Sequence, residues 1–371
     1  MDVAFWIDPQ MLASEAAFVR HLVMGLKAEG QKVTFISPHG LDISMLPTLG
    51  SRVLTYRWHR WERLPVLQRR RLYAVARELN DTPPDVMIVW GSAELVGGGG
   101  VRMLSQMVPG LPVVVWCWDA SELFTPVVRM KSVRHVIASS QAIRTRVPAN
   151  WERGEKGGGR GGGVPVTVVH PGVYCDDLLA CYDVPGQLPC LVSLDPLSAR
   201  PPYEALLRSC RMMAEQAQDY LLFAYDTGRE EYPIWQLAEN LGVLDRVSFV
   251  PFQQDAEPLM LHGDLYIHIL PMTRVQYRTL EAMGHGLAVV TCPNHGADYL
   301  NDGQTCRVVG PQTAEAWRDA LLDLTRDRPK ATAIARRGQQ YVRENHSMGR
   351  TIEQFSSICR QVAGVAIPLA R

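Results

Sequence analysis

This chain of 371 residues lacks net charge: 38 Lys and Arg balance 38 Asp and Glu. Without a global field, attraction to nucleic acid or to a membrane surface has to come from a local patch. It lacks any run of about 18 consecutive apolar residues, the length a membrane-spanning helix needs. The opening MDVAFWIDPQ has Asp2 where a secretory leader would carry Lys or Arg, so the expectation is a cytoplasmic protein. Paired cysteine spacing is also missing. Cys117, Cys175, Cys181, Cys190, Cys210, Cys292, Cys306 and Cys359 are scattered and several fall in apolar runs, which reads as reduced core thiols rather than a zinc site or disulfides. Nor is there a P-loop. Gly97 to Gly100 follow an apolar strand, but Val101 and Arg102 stand where Lys and Ser or Thr should be.

What is present suits two domains: the length is generous for one core, and 47% of the residues are hydrophobic. Apolar runs and amphipathic stretches alternate along the chain, the pattern of a doubly wound α/β fold. The best-organised stretch runs from Asp264 to Val309. Leu265 to Leu270 reads as a strand buried on both faces. Gln276 to Met283 reads as a helix stopped by Gly284 and Gly286, and LAVVTC as the next strand. Such a crossover starts its helix at the carboxyl edge of a parallel sheet, where open α/β sheets bind ligands and a helix N-terminus favours an anion.

Three other segments stand out. YRWHRWERLPVLQRRRLYAVARELN interleaves Arg57, Arg60, Arg63, Arg69, Arg70 and Arg71 with Trp58, Trp61 and Tyr73. It reads either as an interfacial segment for anionic lipid or as a helix with solvated arginines on its outer face. The glycines at 97–100 are either a phosphate or sugar cradle or a flexible loop. The stretch NWERGEKGGGRGGG, with its Gly-rich loop at 156–163, cannot pack a core.

LEAMGHGLAVVTC followed by GADYLNDGQTCRVV resembles glycosyltransferase family 4, retaining enzymes of the GT-B fold that take a sugar from a nucleotide diphosphate. The resemblance puts Glu281 where the family's second glutamate binds the donor ribose. The first glutamate of that pair, eight residues earlier, falls on Thr273. The family's two glycines at the mouth of the first loop fall on Ala13 and Ser14. Its His-Asp pair after the strand LPVVVWC falls on Trp118 and Asp119, and a Trp face can stack on a pyranose ring. An Arg and a Lys normally grip the donor diphosphate. Here no Arg stands in the first position, Arg200 is one residue from the second, and Arg274 and Arg278 lie at the start of the Glu281 helix. Arg278 and Glu281 share a helix face, which suits a phosphate contact beside a ribose contact or a plain ion pair.

The resulting expectation is a GT-B protein with two Rossmann-like doubly wound domains facing across a cleft. Residues 1–175 form the acceptor side and 176–350 the nucleotide-sugar side, with a last helix in 351–371 crossing back to the first domain. The expected activity is retaining, metal-independent glycosyl transfer from a nucleotide-diphosphate sugar, with no cofactor, to a glycan or lipid-linked acceptor in polysaccharide biosynthesis. Glu281 would hold the ribose, and Arg200, Arg274 and Arg278 the phosphates. Ser14, Thr273 and Trp118 would line the sugar site, and Asp119 would orient an acceptor hydroxyl. No nucleic acid partner is expected; a peripheral contact with anionic membrane would run through Arg57, Trp58, Arg60, Trp61 and Arg63. The alternative is a catalytically inactive GT-B scaffold, favoured by Thr273, Trp118, Ala13 with Ser14, and the missing phosphate Arg.

Overall fold

The computed structural model describes residues 1–39, 51–56, 65–91, 100–119, 130–148, 163–195, 200–226, 234–251 and 256–364. The chain divides into two compact units, Met1–Gly172 with Met348–Arg371, and Val173–Ser347.

The first unit opens with β1 (Asp2–Ile7), α1 (Pro9–Ser14), α2 (Ala16–Ala28), β2 (Lys32–Pro38) and β3 (Arg52–Tyr56). It continues with α3 (Pro65–Asp81), β4 (Val86–Trp90), α4 (Gly100–Met107), β5 (Val113–Cys117), β6 (Val133–Ala138), α5 (Gln141–Arg144) and β7 (Val166–Val168). The strands form a parallel sheet in the order β3-β2-β1-β4-β5-β6-β7. Every residue of β4 and β5 is buried, as expected for strands covered by helices on both faces. The order reverses between β1 and β4, where Val3 lies beside Val86 and Ile7 beside Trp90. Gly91 follows β4 with φ +132°, and a Cβ there would meet the Asp8 Cβ at 2.2 Å. Only glycine lets the two strand exits approach this closely.

The second unit holds β8 (Cys190–Ser193), α6 (Arg200–Glu215), β9 (Leu221–Asp226), α7 (Ile234–Asn240), β10 (Val247–Pro251), α8 (Glu257–Met260) and β11 (Leu265–His268). Next come α9 (Tyr277–Gly284), β12 (Ala288–Thr291), β13 (Arg307–Val308), α10 (Ala314–Arg326) and α11 (Arg328–Asn345). Its parallel sheet has the order β10-β9-β8-β11-β12-β13, so the reversal lies between β8 and β11. Leu191, Leu265, Ile267, Ala288 and Val290 pack on one sheet face with Leu206, Cys210, Trp317 and Leu321 of α6 and α10. Both sheets therefore have the doubly wound order whose reversal point is the usual ligand position.

The last helix, α12 (Met348–Ala363), returns to the first unit. Phe355 stacks between Phe5 and Trp116, with ring centroids 5.7 and 5.1 Å away. Ser356 accepts from Gln31 at 2.8 Å and donates to Glu29 at 2.7 Å. α12 passes so close to α2 that a Cβ on Gly25 would strike Ile352 Cδ1 at 2.0 Å. No helix of the described residues is long and apolar enough to cross a membrane.

Candidate functional site

In the second unit the crossover β11-α9-β12 carries Thr273, Arg274, Arg278 and Glu281 at one sheet edge. The turn before α9 is tied to the turn after β12: His295 N donates to Met272 O at 3.1 Å and Asn294 Nδ2 to Arg274 O at 2.9 Å. Gly296 passes beneath, where a Cβ would meet the Thr273 carbonyl oxygen at 2.3 Å. Gln276 enters the helix in extended backbone, its N–H bonded to the Tyr299 hydroxyl at 3.0 Å. These bonds fix where Thr273 and Arg274, both half-buried, leave the sheet.

One turn into α9, Arg278 Nη1 lies 3.4 Å from Glu281 Oε2, with side-chain exposures of 12% and 9%. A charged pair held this far from water is costly to build, and removing either partner strands the other charge. The helix carries no acidic residue in its first turn, so the positive end of its dipole is left for an anion. Arg200 begins α6, after β8, and β8 neighbours β11; its side chain lies outside the described residues. Arg274, Arg278, Glu281 and Thr273 thus share one edge of one unit.

The first-unit expectations fare differently. Ala13 and Ser14 are the last two residues of the helix α1. Asp8 accepts from Met11 N through Oδ1 at 3.4 Å and from Leu12 N through its carbonyl at 2.8 Å, and Pro9 suits a first helical position, so the chain turns helical at once. Ser14 ends that helix with its hydroxyl donating to Met11 O at 3.3 Å and to Glu15 Oε1 at 3.1 Å. Trp118, expected to line the sugar, sits among aromatic rings. It is 1% exposed, with its ring centroid 4.6 Å from that of Trp90, 5.1 Å from Phe18 and 5.6 Å from Trp116. Period-2 alternation sends Trp116 and Trp118 to the same side of the strand path, where Phe18 of α2 and Trp90 already form an apolar wall. Asp119, one residue on, is half-buried. Arg57, Trp58, Arg60, Trp61, Arg63, Gly97 to Gly99 and the Gly-rich loop up to residue 162 lie outside the described residues; of the basic helix, Arg70, Tyr73 and Arg77 are exposed.

Two residues that sequence reasoning passed over meet at the second reversal point. Asp195, just past β8, accepts from His268 Nδ1 at 2.7 Å and from Ile269 N at 2.7 Å. Their exposures are 5% and 1%. The visible signal was a polar residue closing each of two apolar runs, CLVSLD and LYIH. The carboxylate also contributes to raising the pKa of Tyr266 and of Cys292, the latter pushed up to about 12, although burial is the larger cause for both. Among the described residues no cluster of three or more His, Cys, Asp or Glu is placed to hold a metal ion.

Residues 203–327 match the family model described as "Glycosyl transferases group 1". The lipopolysaccharide core biosynthesis glycosyltransferase LpsE of Rhizobium meliloti (strain 1021) is 26% identical over 162 residues, 43% of this chain and 46% of that protein. The match thus spans about half the length of this curated relative. Two solved structures align over almost the whole chain: a glycosyltransferase from Rickettsia africae ESF-5 and Anabaena HepE in complex with UDP and glucose. Each gives a TM-score of 0.73 and covers 97% of this chain, at 14% and 15% identity; the shares of those chains are 98% and 100%. The chain has the GT-B fold, and its residues 203–327 resemble the glycosyl transferases of group 1.

Proposed function

We propose that this chain transfers a glycosyl group from a nucleotide-diphosphate sugar to a glycan or lipid-linked acceptor, with retention of anomeric configuration and without a metal cofactor. The observation that carries the reading is the nearly buried Arg278–Glu281 pair in the first turns of α9, inside the segment that the group 1 model matches. Glu281 would accept the ribose hydroxyls. Arg278, with Arg274 and the amides at the start of α9, would meet the diphosphate, whose negative charge grows as the sugar departs. HepE with UDP and glucose, and LpsE in lipopolysaccharide core synthesis, support UDP-sugars as the donor class to test and a polysaccharide precursor as the acceptor class. The protein would work as a cytoplasmic enzyme, docked on anionic membrane through the arginine-rich segment at 57–71.

The test is release of UDP from UDP-glucose and related UDP-sugars with candidate acceptors, followed by NMR of the product's anomeric proton. An α-linked product from an α-linked donor supports retention; an inverted product removes it. A second reading, a sugar-nucleotide-binding scaffold without turnover, is favoured by the burial of Trp118 where the resemblance places a group near the transferred sugar. Tight UDP binding without release across donors and acceptors would establish that reading instead.

A further inference from the structure

The reversal point of the second sheet holds a polar group that the donor-site argument has not used. His268 ends β11 and Asp195 follows the neighbouring β8, and their side chains bond at 2.7 Å. The carboxylate oxygens are both engaged, one by His268 Nδ1 and the other by Ile269 N. A carboxylate facing Nδ1 fixes the proton on that nitrogen, so in the neutral ring Nε2 is a bare acceptor. Among the described residues Nε2 has no hydrogen-bond partner, though the ring is 1% exposed. Two more buried polar atoms of the same crossover are in the same condition: Gln276 Nε2 at the entrance of α9 and Thr279 Oγ1 in its first turn. Buried polar atoms are nearly always satisfied, so three in one strand-to-helix passage point to a guest.

We infer that His268 is a donor-binding residue whose Nε2 takes up a proton and hydrogen-bonds the nucleoside diphosphate bound at the start of α9. This rests on the donor-site reading given under Proposed function and adds to it. A phosphate oxygen only accepts, so a neutral Nε2 would repel it and a protonated one would bind it. Proton uptake also removes a like-charge conflict, because the ionised Asp195 would otherwise face the diphosphate with an uncompensated charge. The groups bearing on this proton are Asp195 on the β8 side, Tyr203 of α6, which donates to Asp195 O at 2.6 Å, and Tyr266 of β11. Cys292 after β12 is coupled to Asp195, and Arg278 of α9 is coupled to Tyr266 and paired with Glu281.

The experiment is titration calorimetry of UDP into the full chain at pH 7.5 and 8.5, each in HEPES and in Tris, whose ionisation enthalpies differ. At these values UDP is fully ionised and an ordinary imidazole is neutral. The expected result is uptake of about one proton per UDP, with affinity falling roughly tenfold between the two pH values. His268→Gln, which keeps an N–H donor, should bind UDP with no uptake and a flat pH profile, and Asp195→Asn should reduce the uptake. UDP that binds the wild type with no proton uptake overturns the inference and leaves the donor site standing. Undiminished uptake in folded His268→Gln overturns it equally. If the variants fail to fold, the wild-type buffer comparison decides alone. UDP that does not bind the wild type at all overturns the donor-site reading and this inference with it.

Discussion

Arg278 and Glu281 face each other at 3.4 Å, both nearly withdrawn from water, on the helix that starts at the reversal point of the second sheet. A surface pair at this spacing would be worth a few tenths of a kcal/mol. Held this deep, either partner becomes costly to remove. Glu281→Gln should therefore weaken UDP binding by about 1 to 3 kcal/mol, the range of a hydrogen bond to a charged group, while circular dichroism stays native. Unchanged affinity in the folded variant would take Glu281 out of the donor site.

Arg278→Ala separates binding from turnover. If its guanidinium meets the leaving diphosphate, UDP release from the UDP-sugar should drop by roughly 10² or more, with a smaller change in KM. Rescue by Lys would be partial, because an ammonium lacks the planar fork. A raised KM with unchanged kcat would assign Arg278 to ground-state binding alone.

Trp118→Ala tests the aromatic core. With Phe18, Trp90 and Trp116 around it, the truncation should cost about 3 to 5 kcal/mol in urea unfolding of the first unit. A stable variant with a selectively raised KM for the sugar donor would restore the stacking role that the sequence suggested.

Asp264 gives a pH signature. Its carboxylate accepts from Tyr182 N at 2.6 Å and from Cys190 N at 2.7 Å, yet burial outweighs those bonds and raises its pKa. A raised carboxylate binds its proton more tightly in the fold than in the unfolded chain. This contribution to stability is therefore present below the ordinary carboxylate value and lost as pH rises through the folded value. Asp264→Ala should remove that pH dependence and, by stranding two amides, destabilise the second unit by about 1 to 3 kcal/mol at pH 7 in urea melts. A variant with the wild-type pH profile would show that other carboxylates set it.

Vesicles with anionic lipid should retain the protein at low salt and release it at high salt, with Arg70→Glu and Arg77→Glu on the exposed face of α3 weakening retention. Absence of retention at low ionic strength would leave these arginines as a solvated helix face.

The parts of this fold that could be read in advance are those built from contiguous residues. Runs such as VVVWC and AVVT announce strands covered on both sides, and Gly286, at φ +75°, marks the stop after α9. The return of α12 also followed from the family resemblance, which knows the whole topology. The failures share another cause. α1 was invisible because it depends on a cap, Asp8, rather than on an apolar period. The aromatic surroundings of Trp118 are not legible locally because Phe18 and Trp90, whose rings it meets, lie 100 and 28 positions earlier. His268 and Asp195, 73 residues apart, become a pair only when β8 and β11 lie side by side.

The return of α12 has a consequence for the order in which the protein can be made. The second unit, Val173–Ser347, contains no residue of α12 and can close on itself without that helix. The first unit, synthesised earlier, still lacks the helix that covers Phe5, Gly25 and Trp116. Domains that fold as units during synthesis usually do so from the N-terminus. Here the older sheet keeps an apolar face open until α12 arrives, so released chains cleaved before Met348 should reach chaperones with their second unit folded and their first unit unfinished.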